Sequence, residues 1–176
     1  FLDNVRVPKS NLVYELNKGW TVGKRLLQHE RSMIGGIGGG QKTTSLEEYA
    51  HQYVGVDDTG KIADASLRGE ILSHRMNDRA FGLTTRRSVE ESATGNAPGA
   101  TSSMFKYYGT EQNIGKYDLM LSIMGTQSVG WTGDGFEQDE LNTTRAWLRS
   151  KANSIEGGTS EVQLNIIAKR VLGLPD

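Results

Sequence analysis

The sequence predicts an all-α protein, an antiparallel four-helix bundle with a short strand at its N-terminus and a short final helix. Three observations predict it. Apolar residues recur at helical spacing from Trp20 onward. The stretches between periodic segments are short and glycine-rich, which leaves room only for tight connections between antiparallel neighbours. The chain then stops on Gly173 with Pro175 just beyond, the punctuation of a helix end.

Taken in order, Leu2-Asp3-Asn4-Val5-Arg6-Val7-Pro8 alternates apolar and polar residues and halts at a proline, which predicts a short edge strand. The chain has no initiator methionine and opens within that strand, so it reads as a piece of something longer. A connector follows over residues 11–19. From Trp20 the period becomes helical: Trp20, Leu27, Ile34 and Gly38 form one stripe, with Gly23, Glu30 and Arg31 on it. This first helix is expected to run to about residue 53. It contains the glycine-rich run Gly35-Gly36-Ile37-Gly38-Gly39-Gly40. Each glycine costs a helix roughly 1 kcal/mol relative to alanine, so tertiary packing must support it.

A turn is expected at Val54-Gly55-Val56-Asp57-Asp58-Thr59-Gly60, then a second helix over about residues 61–94. Gly95-Asn96-Ala97-Pro98-Gly99 ends it. The third helix covers about residues 100–129 and carries Met104, Tyr107, Tyr108, Leu119, Leu121 and Met124. Gly130-Trp131-Thr132-Gly133-Asp134-Gly135 is a loop. A fourth helix is expected over about residues 140–154. Ser160, with Gln163 three residues on, reads as the capping box of the last helix.

Composition narrows the class. The 176 residues suit one domain. The net charge of -1, with both signs interspersed, leaves no footprint for nucleic acid and no polybasic stretch for a membrane surface. No apolar run approaches the ~20 residues that span a bilayer. Cysteine is absent, which excludes disulfides and thiolate metal sites and fits a cytoplasmic protein.

Few residues invite chemistry. Helical spacing places Glu30 between Leu27 and Ile34, on the face expected to be buried. A carboxylate in apolar surroundings has a raised pKa, as a base for a weakly acidic C–H proton requires. The same spacing equally suits a buried ion pair or a carboxylate reaching the surface. Gly157-Gly158-Thr159 precedes a helix N-terminus, where free N–H groups can face an anion or a cofactor edge, although an ordinary N-cap loop has the same sequence. Residues 36–43 nearly spell a phosphate-binding loop, but Gln41 stands where glycine is required before Lys42-Thr43 and no strand precedes it. His29, His51 and His74 lack metal-ligand spacing, so no metal site is expected. Tyr107 and Tyr108 fit packing better than a stacking platform.

Three blocks together resemble the acyl-CoA dehydrogenase family. Asp3-Asn4-Val5-Arg6-Val7-Pro8, Asn11-Leu12-Val13 and Gly19-Trp20 look like the end of its middle β domain and the entry to its C-terminal bundle. Leu27-Gln28-His29-Glu30-Arg31 looks like part of its first bundle helix. Ile155-Glu156-Gly157-Gly158-Thr159-Ser160-Glu161-Val162-Gln163, with Asn165-Ile166-Ile167-Ala168 and Val171-Leu172-Gly173-Leu174-Pro175, is similar to its C-terminal signature. The resemblance implies a boundary after residue 19: residues 1–19 would end the middle β domain and its linker, and residues 20–176 would form the C-terminal helical bundle.

The resemblance also implies α,β-dehydrogenation of an acyl-CoA thioester with FAD as cofactor. Many members carry the base two residues ahead of the signature threonine, where this chain has Gly157. A minority place it on the first bundle helix, where Glu30 matches; Glu156 is the fallback. Arg31 would position substrate or base, Gly157 and Gly158 would border the thioester, and Thr159 and Glu161 would contact FAD. Electrons would pass to an electron-transferring flavoprotein, and the assembly would be a homodimer or homotetramer. Some features depart from the family. The usual arginine with a Phe-Gly pair is missing from the turn at residues 54–60, and Arg79-Ala80-Phe81-Gly82 falls inside the second helix. A glycine pair is reduced to Gly125-Thr126. These losses leave a second reading open, a non-catalytic oligomerisation or partner-subunit bundle. On either reading the chain holds only part of an active site.

Overall fold

The structure, a computed structural model, describes residues 1–34, 44–94 and 99–175, with the side chains of residues 28–34 outside the description. Six α-helices are described: α1 Gly19–Ile34, α2 Leu46–Tyr53, α3 Ala65–Ala93, α4 Ser102–Met124, α5 Gln138–Ser150 and α6 Ser160–Ile166. Short 3-10 turns extend α4 (Gly125–Val129) and α5 (Lys151–Ser154), and a π turn (Ile167–Val171) continues α6. α4 is the central helix and packs against each of the other five.

Local chemistry sets the helix starts. Ser45 opens α2 with a reciprocal capping box: its hydroxyl accepts from the Glu48 N–H at 3.1 Å, and the Glu48 carboxylate accepts from the Ser45 N–H at 2.7 Å. A helix therefore begins at residue 46, inside the single long helix expected from 20 to 53. The glycine-rich middle of that expected helix, and with it the near phosphate-loop at 36–43, lies outside the described residues. Asp64 caps α3 by accepting from the N–H groups of Ser66 and Leu67 at 2.8 and 3.0 Å. The expected turn at 54–60 is present. Asp57 Oδ1 accepts from the Thr59 N–H, the Thr59 hydroxyl and the Lys61 N–H, with Gly55 and Gly60 at φ +81° and +78°.

The final helix starts one residue earlier than its sequence suggests. Thr159, not Ser160, is the N-cap, and its Oγ1 accepts from the Val162 N–H at 3.3 Å. Gln163 does not reach back to the cap; it is fully buried and bonds elsewhere. The expected N-terminal strand is absent from the described residues. Residues 2–7 alternate apolar and polar but have no partner strand among the described residues to take up their backbone groups.

The apolar core lies between α2, the start of α3 and the end of α4. It comprises Leu46, Tyr49, Ala50, Ile62, Leu67, Ile71, Met120, Ile123 and Met124. Of the α1 stripe expected to be buried, Trp20 is 73% exposed and Leu27 39%. Periodicity reports which residues share a face, and the partner of that face is a separate matter.

Candidate active-site turn

The glycine turn at the start of α6 is built by conformation first. Gly157 has φ +64° and Gly158 φ +95°, two successive residues in a region where L side chains are strained. Gln163, one turn into α6, folds back so that its Nε2 donates to the Gly157 carbonyl at 2.9 Å. A Cβ at Gly158 would sit 2.6 Å from that Nε2, so the turn requires glycine on two counts, backbone and space. At Gly157 the positive φ leaves glycine in the place where the resemblance would put a catalytic carboxylate in many members.

Polar side chains brace both flanks. Glu156 Oε1 pairs with Arg149 Nη2 at 2.6 Å, and its Oε2 accepts from Asn153 Nδ2 at 3.3 Å. Asn153 in turn accepts from Asn113 of α4 at 3.1 Å. On the other flank the Ser160 hydroxyl donates to Glu111 Oε1 at 3.2 Å. Glu161 is exposed, and its own backbone N–H, with the Thr159 hydroxyl, holds its carboxyl below the usual glutamate value. Gly157, Gly158, Thr159 and Glu161 are thus brought together as one half-exposed turn. Its exposed charged group is the Glu161 carboxylate, while the Thr159 hydroxyl is engaged by the Val162 N–H and by the Glu161 carboxyl.

Glu30 and Arg31 lie near the C-terminal end of α1, and their side chains fall outside the described ones, as does that of His29. α1 packs on α4, the helix that also carries α6. Tyr108 packs at a tilt on Phe81, centroids 5.5 Å apart, in keeping with a packing role.

Two features escaped the sequence reading. Tyr49 Oη bonds Asp139 Oδ2 at 2.6 Å and Thr143 Oγ1 at 2.7 Å, and Tyr53 Oη donates to Glu140 Oε1 at 2.7 Å. These bonds pin α2 to α5. Burial, then the Asp139 hydrogen bond, pushes the Tyr49 phenol up to about 12, and burial with the Glu140 bond pushes Tyr53 up as well. The partners stand 87 to 94 residues apart, so no local pattern announces them. The second feature is Lys106, a lysine with 0% exposure in the second turn of α4. Its signal was present as Ser103, Lys106 and Thr110, polar residues at i, i+3 and i+7 on one helix face. No cluster of three or more His, Cys, Asp or Glu suited to a metal occurs among the described residues. None of the described helices is long and apolar enough to cross a membrane.

An all-α bundle that ends in a glycine turn and a short final helix is the C-terminal arrangement the sequence resemblance implied. The family of acyl-CoA dehydrogenase C-terminal domains matches residues 17–172, and this chain belongs to it. Among curated relatives, it is 28% identical over 176 residues to acyl-CoA dehydrogenase FadE34 of Mycobacterium tuberculosis, covering 99% of this chain and 22% of that protein. It is 30% identical over 178 residues to acyl-CoA dehydrogenase IpdE1 of the same organism, covering 99% and 43%. The chain thus spans less than half the length of these relatives. Its fold is similar to that of the ChsE4-ChsE5 complex from Mycobacterium tuberculosis, with TM-score 0.72 and 25% identity over 100% of this chain and 45% of that one. It also matches a Tcur3481-Tcur3483 steroid ACAD variant with TM-score 0.78 and 24% identity, at the same two coverages.

Proposed function

We propose that this chain is the helical part of an FAD-dependent acyl-CoA dehydrogenase that converts an acyl-CoA thioester to its 2-enoyl-CoA. The observation that carries the reading is family membership across residues 17–172. Residues 1–19 are then the end of a middle β domain, and the bundle follows from residue 20. The same reading puts the protein in the cytoplasm, working as a homodimer or homotetramer that hands electrons to an electron-transferring flavoprotein.

Glu30 is the base in this reading. Two features support it over its rivals. Gly157 offers no side chain, and both carboxylate oxygens of Glu156 are already engaged, by Arg149 and Asn153. Glu30 takes the α-proton onto its carboxylate as the α,β double bond forms. When bound, FAD supplies the two-electron acceptor for the β-hydrogen. Arg31 positions the substrate or the base. Gly157 and Gly158, without side chains, let the thioester approach the backbone, and Thr159 and Glu161 meet the polar edge of the cofactor.

In the full-length protein, Glu30→Gln is expected to abolish acyl-CoA-dependent bleaching of the flavin while FAD stays bound. Bleaching at the normal rate in that variant overturns the assignment of the base. A second reading, a non-catalytic partner subunit in a heteromeric dehydrogenase, draws on the likeness to a two-component complex. A colourless full-length protein favours it.

A further inference from the structure

The two glycines of the C-terminal turn have no side chains, so what holds them must reach in from elsewhere. Among the described residues one side chain does. Gln163, in α6 and fully buried, donates from Nε2 to the Gly157 carbonyl at 2.9 Å and, over a longer 3.5 Å, to the Gly158 carbonyl. The bonds of Glu156 and Ser160 hold the residues on either side, not the glycines themselves.

The amide has one workable orientation. Turned end for end, it would set Oε1 against two carbonyl oxygens, acceptor on acceptor. As it stands, Oε1 is buried and has no partner among the described residues. A buried orphan oxygen costs free energy, and an apolar side chain of similar volume would fill the space without one. What the apolar side chain lacks is the donor. The position is therefore chemically specific: it calls for an amide for the sake of its N–H groups.

Those N–H groups fix more than two oxygens. A trans peptide unit is planar, with its C=O and N–H on opposite edges. No cis bond occurs among the described residues. Drawing the carbonyls of Gly157 and Gly158 toward Gln163 therefore turns the N–H groups of Gly158 and Thr159 the other way. The glycines, at φ +64° and +95°, supply no rigidity of their own. With the amide in place, both peptide planes present one defined edge.

We propose that Gln163 is a positioning residue for the Gly157-Gly158-Thr159 turn. Its buried amide sets both peptide planes of the turn, and so fixes the backbone edge that borders the thioester. The last clause rests on the function proposed above; the hold on the two planes does not.

The test compares the full-length protein with its Gln163→Glu and Gln163→Met variants. Glutamate has nearly the same shape; ionised it can only accept, and protonated it regains one O–H donor. Methionine fills similar space with no donor at any pH. Hydrogen exchange read by mass spectrometry, each variant against wild type at the same pH, is the first readout. Losing the donor is expected to speed exchange of the amides of residues 157–163 by about tenfold in both variants at about pH 8. The α2 and α4 core amides should keep their rates. The second readout is turnover with acyl-CoA, where a misplaced turn lowers kcat about tenfold with little change in KM. As pH falls to about 6, the buried glutamate, its pKa raised by burial, takes up a proton. Gln163→Glu should then move back toward wild type in exchange and in kcat, while Gln163→Met stays where it was. Unchanged exchange at the turn in both variants at the higher pH, a uniform rise across core and turn, or a glutamate variant whose ratio to wild type ignores pH overturns the proposal. If only one variant folds, it decides alone: the glutamate by its pH response, the methionine by faster exchange confined to the turn. If neither folds, the side chain serves the whole fold and the proposal falls. A wild-type protein that oxidises no acyl-CoA sinks the proposed function and leaves the exchange result to judge Gln163.

Discussion

Replacing Gly158 with alanine tests whether the C-terminal turn is as constrained as its geometry says. Two costs are expected. An L residue in the left-handed region costs about 1–2 kcal/mol, and φ here is +95°. The new Cβ would also lie 2.6 Å from Gln163 Nε2, inside contact distance, so the amide must leave the Gly157 carbonyl. Losing that bond and leaving a fully buried amide without it adds about 1–2 kcal/mol, for a total of about 2–4 kcal/mol. The assay is equilibrium urea denaturation, with exchange of the amides of residues 157–163 as the local readout. Doing the same substitution in a Gln163→Ala background separates the terms, because only the backbone strain of about 1–2 kcal/mol should survive. A cost for Gly158→Ala below about 0.5 kcal/mol, or an identical cost in both backgrounds, would refute the reasoning.

Two further predictions concern the α2–α5 clasp. Tyr49→Phe removes bonds of 2.6 and 2.7 Å to Asp139 and Thr143, and Tyr53→Phe takes the Tyr53 donor from Oε1 of the buried Glu140; each should cost about 1–3 kcal/mol in urea denaturation, and an unmoved midpoint would contradict the clasp. The rings stack at 5.8 Å, so the double variant should be non-additive. The same clasp predicts alkaline sensitivity. An unfolded tyrosine loses its proton near pH 10, while folded Tyr49 keeps it to about 12. Between those values the unfolded state binds fewer protons, so stability falls as pH rises through that window. Tyr49→Phe should flatten the slope, which a pH series of denaturation curves would reveal.

Much of the fold was legible because helices write their period into the chain. The starts at Asp64 and near Gln138 came within a few residues of expectation, since capping chemistry is local. The first helix was read as continuous to residue 53, and the capping box at Ser45, a local device of two residues, starts a helix inside that span. The C-terminal turn was legible through Gly157-Gly158-Thr159, and Gln163 was assigned to a cap it does not make. Its amide has two uses at the same spacing, back to the cap or down to the glycine carbonyl, and only packing chooses between them.

What the sequence alone determined is the helical class, the family and the place of the C-terminal glycine turn, because period, capping and glycine clusters are properties of a few adjacent residues. The tertiary structure decided which polar groups are buried and with whom. Tyr49 meets Asp139 across 90 residues, and Lys106 is fully buried in α4. Those placements follow from α2 and α5 both packing on α4, which no local pattern specifies, and burial there makes two tyrosines the groups that pin α2 to α5.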